Sequence, residues 1–204
     1  MKLKVCGMKY AENIQQVGEL QPDYLGFIFY EKSKRNFEGV IPKLPESIKK
    51  VGVFVNEFIE IVVSLVEEYQ LDAVQLHGDE SVEYIKKLKS YLPKIEIIKV
   101  FGIKEDFNFD ILKPYKEIVD YFLFDTKGKE RGGNGIPFNW QVLGNYNSEK
   151  PFFLSGGIGL EHIDKIKKMR ITGLPIYALD VNSKFETEAG VKNIEKLKEF
   201  KKKI

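Results

Sequence analysis

Short apolar runs rich in β-branched and aromatic residues alternate along the chain with longer stretches whose apolar positions fall three and four residues apart. The runs at 3–6, 24–29, 51–55, 73–76, 95–100, 121–124, 152–154 and 177–181 have the length and make-up of strands. Between them, Ile59, Val62, Val63 and Val66 share one helix face, as do Val82, Ile85 and Leu88. Val191, Ile194 and Leu197 continue the helical spacing, with Lys198 at the edge of the stripe. The segment 38–49 carries Pro42 and Pro45 and predicts only a short or irregular helix. Eight strands separated by connectors imply parallel pairing through right-handed crossovers. An open doubly wound sheet and a closed barrel both satisfy that pattern. Eight regular units of roughly 25 residues favour closure, at about the minimum length for such a barrel. The expected architecture is therefore α/β, a (β/α)8 TIM barrel forming a single domain over residues 1–204. The glycine-rich stretch 127–135 is too short for a domain linker and reads as a loop.

Composition narrows the function classes. Basic and acidic residues nearly cancel, at 32 against 30, so charge gives no argument for nucleic acid or an anionic membrane as partner. The basic run 201–203 closes the last helical stretch, where cations suit the helix dipole. Cys6 is the single cysteine, which excludes an intramolecular disulfide and fits a reducing compartment. The first residues lack the apolar core of a signal peptide, and no run reaches the ~18 apolar residues of a membrane helix. A soluble, cytoplasmic protein is expected.

Barrel enzymes carry their chemistry at the C-terminal ends of the strands, and the polar and glycine residues of this chain gather there. Cys6-Gly7 closes the first run, Arg35 follows the second, and Asn56 closes the third. His77-Gly78 closes the fourth and Asp125 the sixth. The seventh run ends in Ser155-Gly156-Gly157-Ile158-Gly159, and the eighth in Asp180-Val181-Asn182-Ser183. Glycines let backbone N–H groups approach an anion, and a following helix adds a favourable dipole, so these last two turns predict a phosphate site. Cys6 reads either as a small buried hydrophobe or as a reactive thiol, and Asp125 either as a cap or as an acid. An ordinary thiol, with a pKa of about 8.5, needs help from its surroundings to act as a base. Lys4 shares the strand face of Cys6; if both point inward, the lysine needs an acidic partner that sequence does not reveal. His77 can be a satisfied polar residue at a strand end. His162 belongs to the helix after the seventh strand, and two histidines exclude a multi-histidine metal centre.

Taken in order, these segments resemble the phosphoribosylanthranilate isomerases. The matching stretches are Lys4-Val5-Cys6-Gly7-Met8, Gly26-Phe27-Ile28-Phe29-Tyr30 with Ser33-Lys34-Arg35, and Gly52-Val53-Phe54-Val55-Asn56. Val74-Gln75-Leu76-His77-Gly78, Phe124-Asp125-Thr126, Gly132-Gly133-Asn134-Gly135 and the two final turns complete the set. The resemblance implies an Amadori rearrangement of N-(5-phosphoribosyl)anthranilate to the 1-deoxyribulose phosphate isomer, in tryptophan biosynthesis, with no metal or organic cofactor. It makes Asp125 the general acid that opens the furanose ring and Cys6 the base that removes the C2 proton. Arg35 would hold the anthranilate carboxylate, and Asp180 the opened sugar's hydroxyls. Gly156, Gly157, Gly159, Asn182 and Ser183 would anchor the phosphate, and His77 stands among the substrate-binding residues. The implied partner is a small phosphorylated substrate, and the implied state a monomer or homodimer. Leu160, Lys184 and Ile136 depart from the usual pattern without removing a catalytic group. The related Amadori enzyme of histidine biosynthesis usually has an aspartate where Cys6 stands, and a non-catalytic phosphate-binding barrel could dispense with both Cys6 and Asp125.

Overall fold

In a computed structural model of the chain, which describes residues 1–126 and 139–204, every run expected to be a strand forms one. The strands are β1 (Lys2–Cys6), β2 (Tyr24–Phe29), β3 (Lys49–Phe54), β4 (Ala73–Leu76), β5 (Glu96–Ile103), β6 (Tyr121–Thr126), β7 (Phe152–Leu154) and β8 (Ile176–Val181). Each pairs in parallel with the next, and β8 returns to β1 through Lys2↔Ala178 and Lys4↔Asp180, closing the barrel. Both faces of these strands are buried, which is why they read as nearly unbroken apolar runs. One core lies inside the barrel and includes Tyr24, Val51, Ala73, Ile98, Leu123, Phe153 and Ala178. The other lies between strands and helices and includes Leu25, Phe27, Phe54, Val74, Ile97, Phe122 and Leu179. A fully buried side chain of this size contributes roughly 1.5–3 kcal/mol of transfer free energy.

The helical half is less regular than eight full units. Among the described residues, α-helices form at α1 (Ala11–Glu19), α2 (Ile59–Tyr69), α3 (Val82–Tyr91), α4 (Ile163–Ile171) and α5 (Ile194–Lys203). The segment after β2 holds no helix: residues 38–45 are irregular and only a turn at Pro45–Ile48 precedes β3. Two prolines there remove backbone donors, so even the short helix allowed by the sequence does not form. Tight 3-10 turns at Phe109–Tyr115 and Trp140–Asn145 stand in the connectors after β5 and β6. Val191, expected on the last helix, instead pairs with Glu188 in a small antiparallel flap of β9 (Glu186–Glu188) and β10 (Val191–Lys192). The α5 helix starts two residues later, where the Asn193 side chain accepts a hydrogen bond from the Lys196 amide at 3.0 Å.

The two ends of the barrel differ in chemistry. At the N-terminal end, pairing of β7 with β8 skips Tyr177, and its ring stacks on Tyr121 at 4.4 Å between centroids. Its hydroxyl lies 3.0 Å from that of Tyr24, and Glu96 pairs with Lys49 beside them. This aromatic cluster caps the bottom of the barrel. At the C-terminal end, the inner wall changes from apolar to polar.

Candidate active site

Alternation along β1 turns both Lys4 and Cys6 inward, as the strand period requires. Lys4 is fully buried, and its Nζ donates to Asp180 Oδ1 at 2.7 Å, so the missing acidic partner is Asp180. Asp180 Oδ2 accepts from Ser155 Oγ at 3.1 Å. Each carboxylate oxygen still has a lone pair for a sugar hydroxyl. Burial pushes the Lys4 ammonium down, but Asp180 and then Cys6 outweigh it and hold the group above its usual range. For Cys6, burial pushes the thiol up and the Lys4 charge pulls it down; Asp180 pushes up again, Lys192 pulls down, and the net effect holds the thiol above its usual range.

Asp125 sits inside β6, because β5 extends to Ile103 and pairs the strands as far as Thr126. Burial raises its carboxyl from 3.8 to about 7; the Thr126 amide on Oδ1 at 2.7 Å opposes that shift, and nearby Asp180 reinforces it. At neutral pH about half of such groups carry a proton to donate. His77 Nε2 lies 3.7 Å from Asp125 Oδ2, and Gln75 Nε2 lies 3.3 Å from His77 Nδ1. Gln75 is two residues before His77 on the same inward face, a placement that strand alternation alone could have found.

Cys6, Arg35, His77, Asp125, Gly156, Gly157, Asp180, Asn182 and Ser183 all line one cleft. Gln75, Thr126, Ser155 and Lys184 join them on the wall. Gln75 Oε1 and Thr126 Oγ1 are buried and have no hydrogen-bond partner among the described residues, so the wall offers polar atoms for a ligand. Gly156 (φ +89°) needs its glycine: a Cβ there would lie 2.3 Å from Thr126 Oγ1 and 3.0 Å from Asp125 Oδ1. Gly159 is not on the wall, and its N–H donates to His162 Nδ1 at 3.0 Å, the local packing role of that histidine. Asn56 is also absent from the wall; its side chain ties a turn by accepting from the Asp79 amide at 2.6 Å. Leu160 opens a 3-10 turn ahead of α4, and Lys184 reaches to 3.4 Å from Glu161. The 127–135 stretch and Ile136 lie outside the described residues. No cluster of three metal-ligating side chains occurs among the described residues, and no helix there is long and apolar enough to cross a membrane.

Two site residues escape sequence reading. The Arg35 guanidinium donates to Glu186, Nε to Oε1 at 2.8 Å and Nη2 to Oε2 at 2.6 Å. Lys192, with a fully buried side chain, donates to Glu186 Oε1 at 2.6 Å and to Asn182 Oδ1 at 2.7 Å. Nothing in the sequence marks Glu186 as the partner of an arginine 151 residues away, or Lys192 as the second cation on the same carboxylate.

Known proteins share this sequence and fold. Residues 3–203 match the model of the N-(5'phosphoribosyl)anthranilate (PRA) isomerase family. An N-(5'-phosphoribosyl)anthranilate isomerase from Parabacteroides distasonis is 43% identical, over 100% of this chain and 93% of the relative. One from Thermoanaerobacter pseudethanolicus is 39% identical, over 100% and 98%. The crystal structure of the Thermotoga maritima phosphoribosyl anthranilate isomerase superposes with a TM-score of 0.82 at 31% identity, covering 100% of this chain and 98% of that one. A further phosphoribosyl anthranilate isomerase, in complex with reduced 1-(o-carboxyphenylamino)-1-deoxyribulose 5-phosphate, gives 0.79 at 30% identity over 100% and 97%. The chain belongs to the N-(5'-phosphoribosyl)anthranilate isomerase family, the aldose–ketose isomerases of tryptophan biosynthesis.

Proposed function

We propose that this cleft performs the family's Amadori rearrangement with Asp125 as general acid and Cys6 as general base. The observation that carries the assignment is an aspartate held near pKa 7 in the same cleft as a thiol flanked by two buried lysines. Asp125 gives its proton to the furanose ring oxygen as the C1–O bond breaks. The anilino nitrogen's lone pair fills the vacated bonding position and forms the protonated Schiff base. Cys6 then takes the proton from C2, and the C–H electron pair forms the C1=C2 bond of an enolamine. Tautomerisation moves the C2 hydroxyl proton to C1 and leaves the ketone, so the product is an isomer of the substrate.

The wall supplies binding for each end. Gly156, Gly157, Asn182, Ser183 and the Lys184 ammonium surround the phosphate, while Arg35 meets the anthranilate carboxylate. Asp180, Gln75 and Thr126 take the hydroxyls of the opened sugar, and His77 lies beside the acid. The Gly159 amide is already bonded, so it contributes through the shape of the turn. A reducing cytoplasm suits a mechanism that depends on a free thiol.

The two shifts point to a protonation order. The working form needs Asp125 protonated and Cys6 ionised, although Asp125 is the stronger acid of the two. This form is a minority species of the free enzyme and is most abundant between the two pKa values. The test is the pH profile of kcat/KM with freshly generated substrate. It is expected to rise about tenfold per pH unit until about pH 7 and then to level off. An acid limb near pH 4, where an ordinary aspartate titrates, contradicts the assignment.

A further inference from the structure

The flap formed by β9 and β10 carries a charged cluster that the acid–base chemistry does not use. Glu186 Oε1 accepts from Arg35 Nε at 2.8 Å, from Lys192 Nζ at 2.6 Å and from the Gly190 amide at 3.1 Å. Its Oε2 accepts from Arg35 Nη2 at 2.6 Å. Lys192 is itself fixed through its backbone: its amide donates to Asn13 Oδ1 at 2.7 Å, and its carbonyl accepts from Asn13 Nδ2 at 3.0 Å. Asn13 lies on α1, so the lysine is pinned to the barrel's outer layer as well as to its rim. A glutamate gripped by two cations and a backbone amide differs from an exposed surface pair, which contributes little.

This cluster touches both ends of the cleft. Arg35 and Asn182 converge over Gly7 (φ +75°), where a Cβ would lie 2.7 Å from Arg35 Cδ and 2.8 Å from Asn182 Oδ1. The Arg35 fork is half occupied by Glu186, which leaves the remaining guanidinium donors for a ligand carboxylate. Burial pushes the Glu186 carboxyl up, but Arg35 and Lys192 outweigh it and hold it below its usual range; burial in turn pulls the Lys192 ammonium down against the opposing pull of Glu186. We propose that Glu186, anchored by Lys192, is a positioning residue that aims Arg35 at the substrate carboxylate, while Lys192 holds Asn182 in the phosphate loop. One buried lysine thereby fixes the spacing between the carboxylate and phosphate subsites. The inference rests on the reading of Arg35 as the carboxylate contact.

The test is the binding of two probes, reduced 1-(o-carboxyphenylamino)-1-deoxyribulose 5-phosphate and ribose 5-phosphate, to the wild type and four variants. Arg35→Met and Glu186→Gln are each expected to weaken the carboxylate-bearing probe about tenfold and to leave ribose 5-phosphate within about twofold. Lys192→Met is expected to weaken both probes. Glu186→Asp keeps the charge that balances Lys192 but shortens the reach, so it should fold and show the same selective loss should Glu186→Gln fail to fold. A general structural defect would weaken both probes alike in the Glu186 variants, and that result overturns the positioning role. Wild-type affinity in those variants beside a selective loss in Arg35→Met overturns the inference alone. No loss in Arg35→Met removes the reading on which it rests. Unchanged ribose 5-phosphate binding in Lys192→Met overturns the link to the phosphate loop.

Discussion

At the scale of single residues, the cleft places groups where water cannot stabilise their charges, and that placement gives the site its chemistry. Asp125 is the clearest case. Folding raises its pKa from 3.8 to about 7, so the folded chain binds this proton more tightly than the unfolded chain does. Relative to its value below about pH 4, stability falls as pH rises from about 4 to about 7, by on the order of 4 kcal/mol in all, and is level above that. Asp125→Asn is therefore expected to melt several degrees higher than the wild type at pH 8.5 and at nearly the same temperature at pH 4. Thermal unfolding at the two pH values checks this, and an equal difference at both would show that burial does not load this carboxyl. Lys4 and Asp180 illustrate a different limit. Strand alternation placed Lys4 inside beside Cys6, but its acid lies 176 positions away in sequence and is found only by closing β8 onto β1.

At the scale of elements, what was legible follows from how far each element depends on its own residues. The strands were readable because burial on both faces demands apolar, β-favouring residues along their whole length. The connectors were less so. An apolar stripe that begins at Val191 fits a helix by spacing, yet Val191 pairs across the flap and Asn193 starts α5. That cap is expected to matter on its own account: α5 holds Leu197 and Phe200 in the core, and Asn193→Ala removes the side-chain acceptor for the Lys196 amide. A loss of about 1 kcal/mol in urea-induced unfolding is expected, with an unchanged denaturant slope. No measurable loss would mean that packing alone sets the start of the helix. The strand-end residues of the site were legible for the same reason as the strands, since a barrel rim collects whatever follows each one. Glu186 and Lys192 lie on the flap beyond that rule. They enter the site through contacts that no local spacing encodes.

At the scale of the whole molecule, the barrel separates its tasks by end. The N-terminal mouth is capped by Tyr24, Tyr121 and Tyr177, and the C-terminal mouth opens onto the polar wall. Closure of β8 onto β1 assembles this wall, because it brings Asp180 to Lys4 and sets the turn at Asn182 and Ser183 in the same cleft as Cys6. The central claim is that Asp125 and Cys6 act as acid and base on one bound phosphoribosylanthranilate. The most direct measurement is conversion of freshly generated substrate, with the isomeric product separated chromatographically, by the wild type, Asp125→Asn and Cys6→Ser. Affinity for the reduced product analogue is measured on the same three proteins. Conversion by the wild type and its collapse in both variants by more than about a hundredfold, with the analogue still bound, is the expected result. Near-normal conversion by either folded variant would contradict that residue's role, and no conversion by a wild type that binds the analogue would contradict the account as a whole.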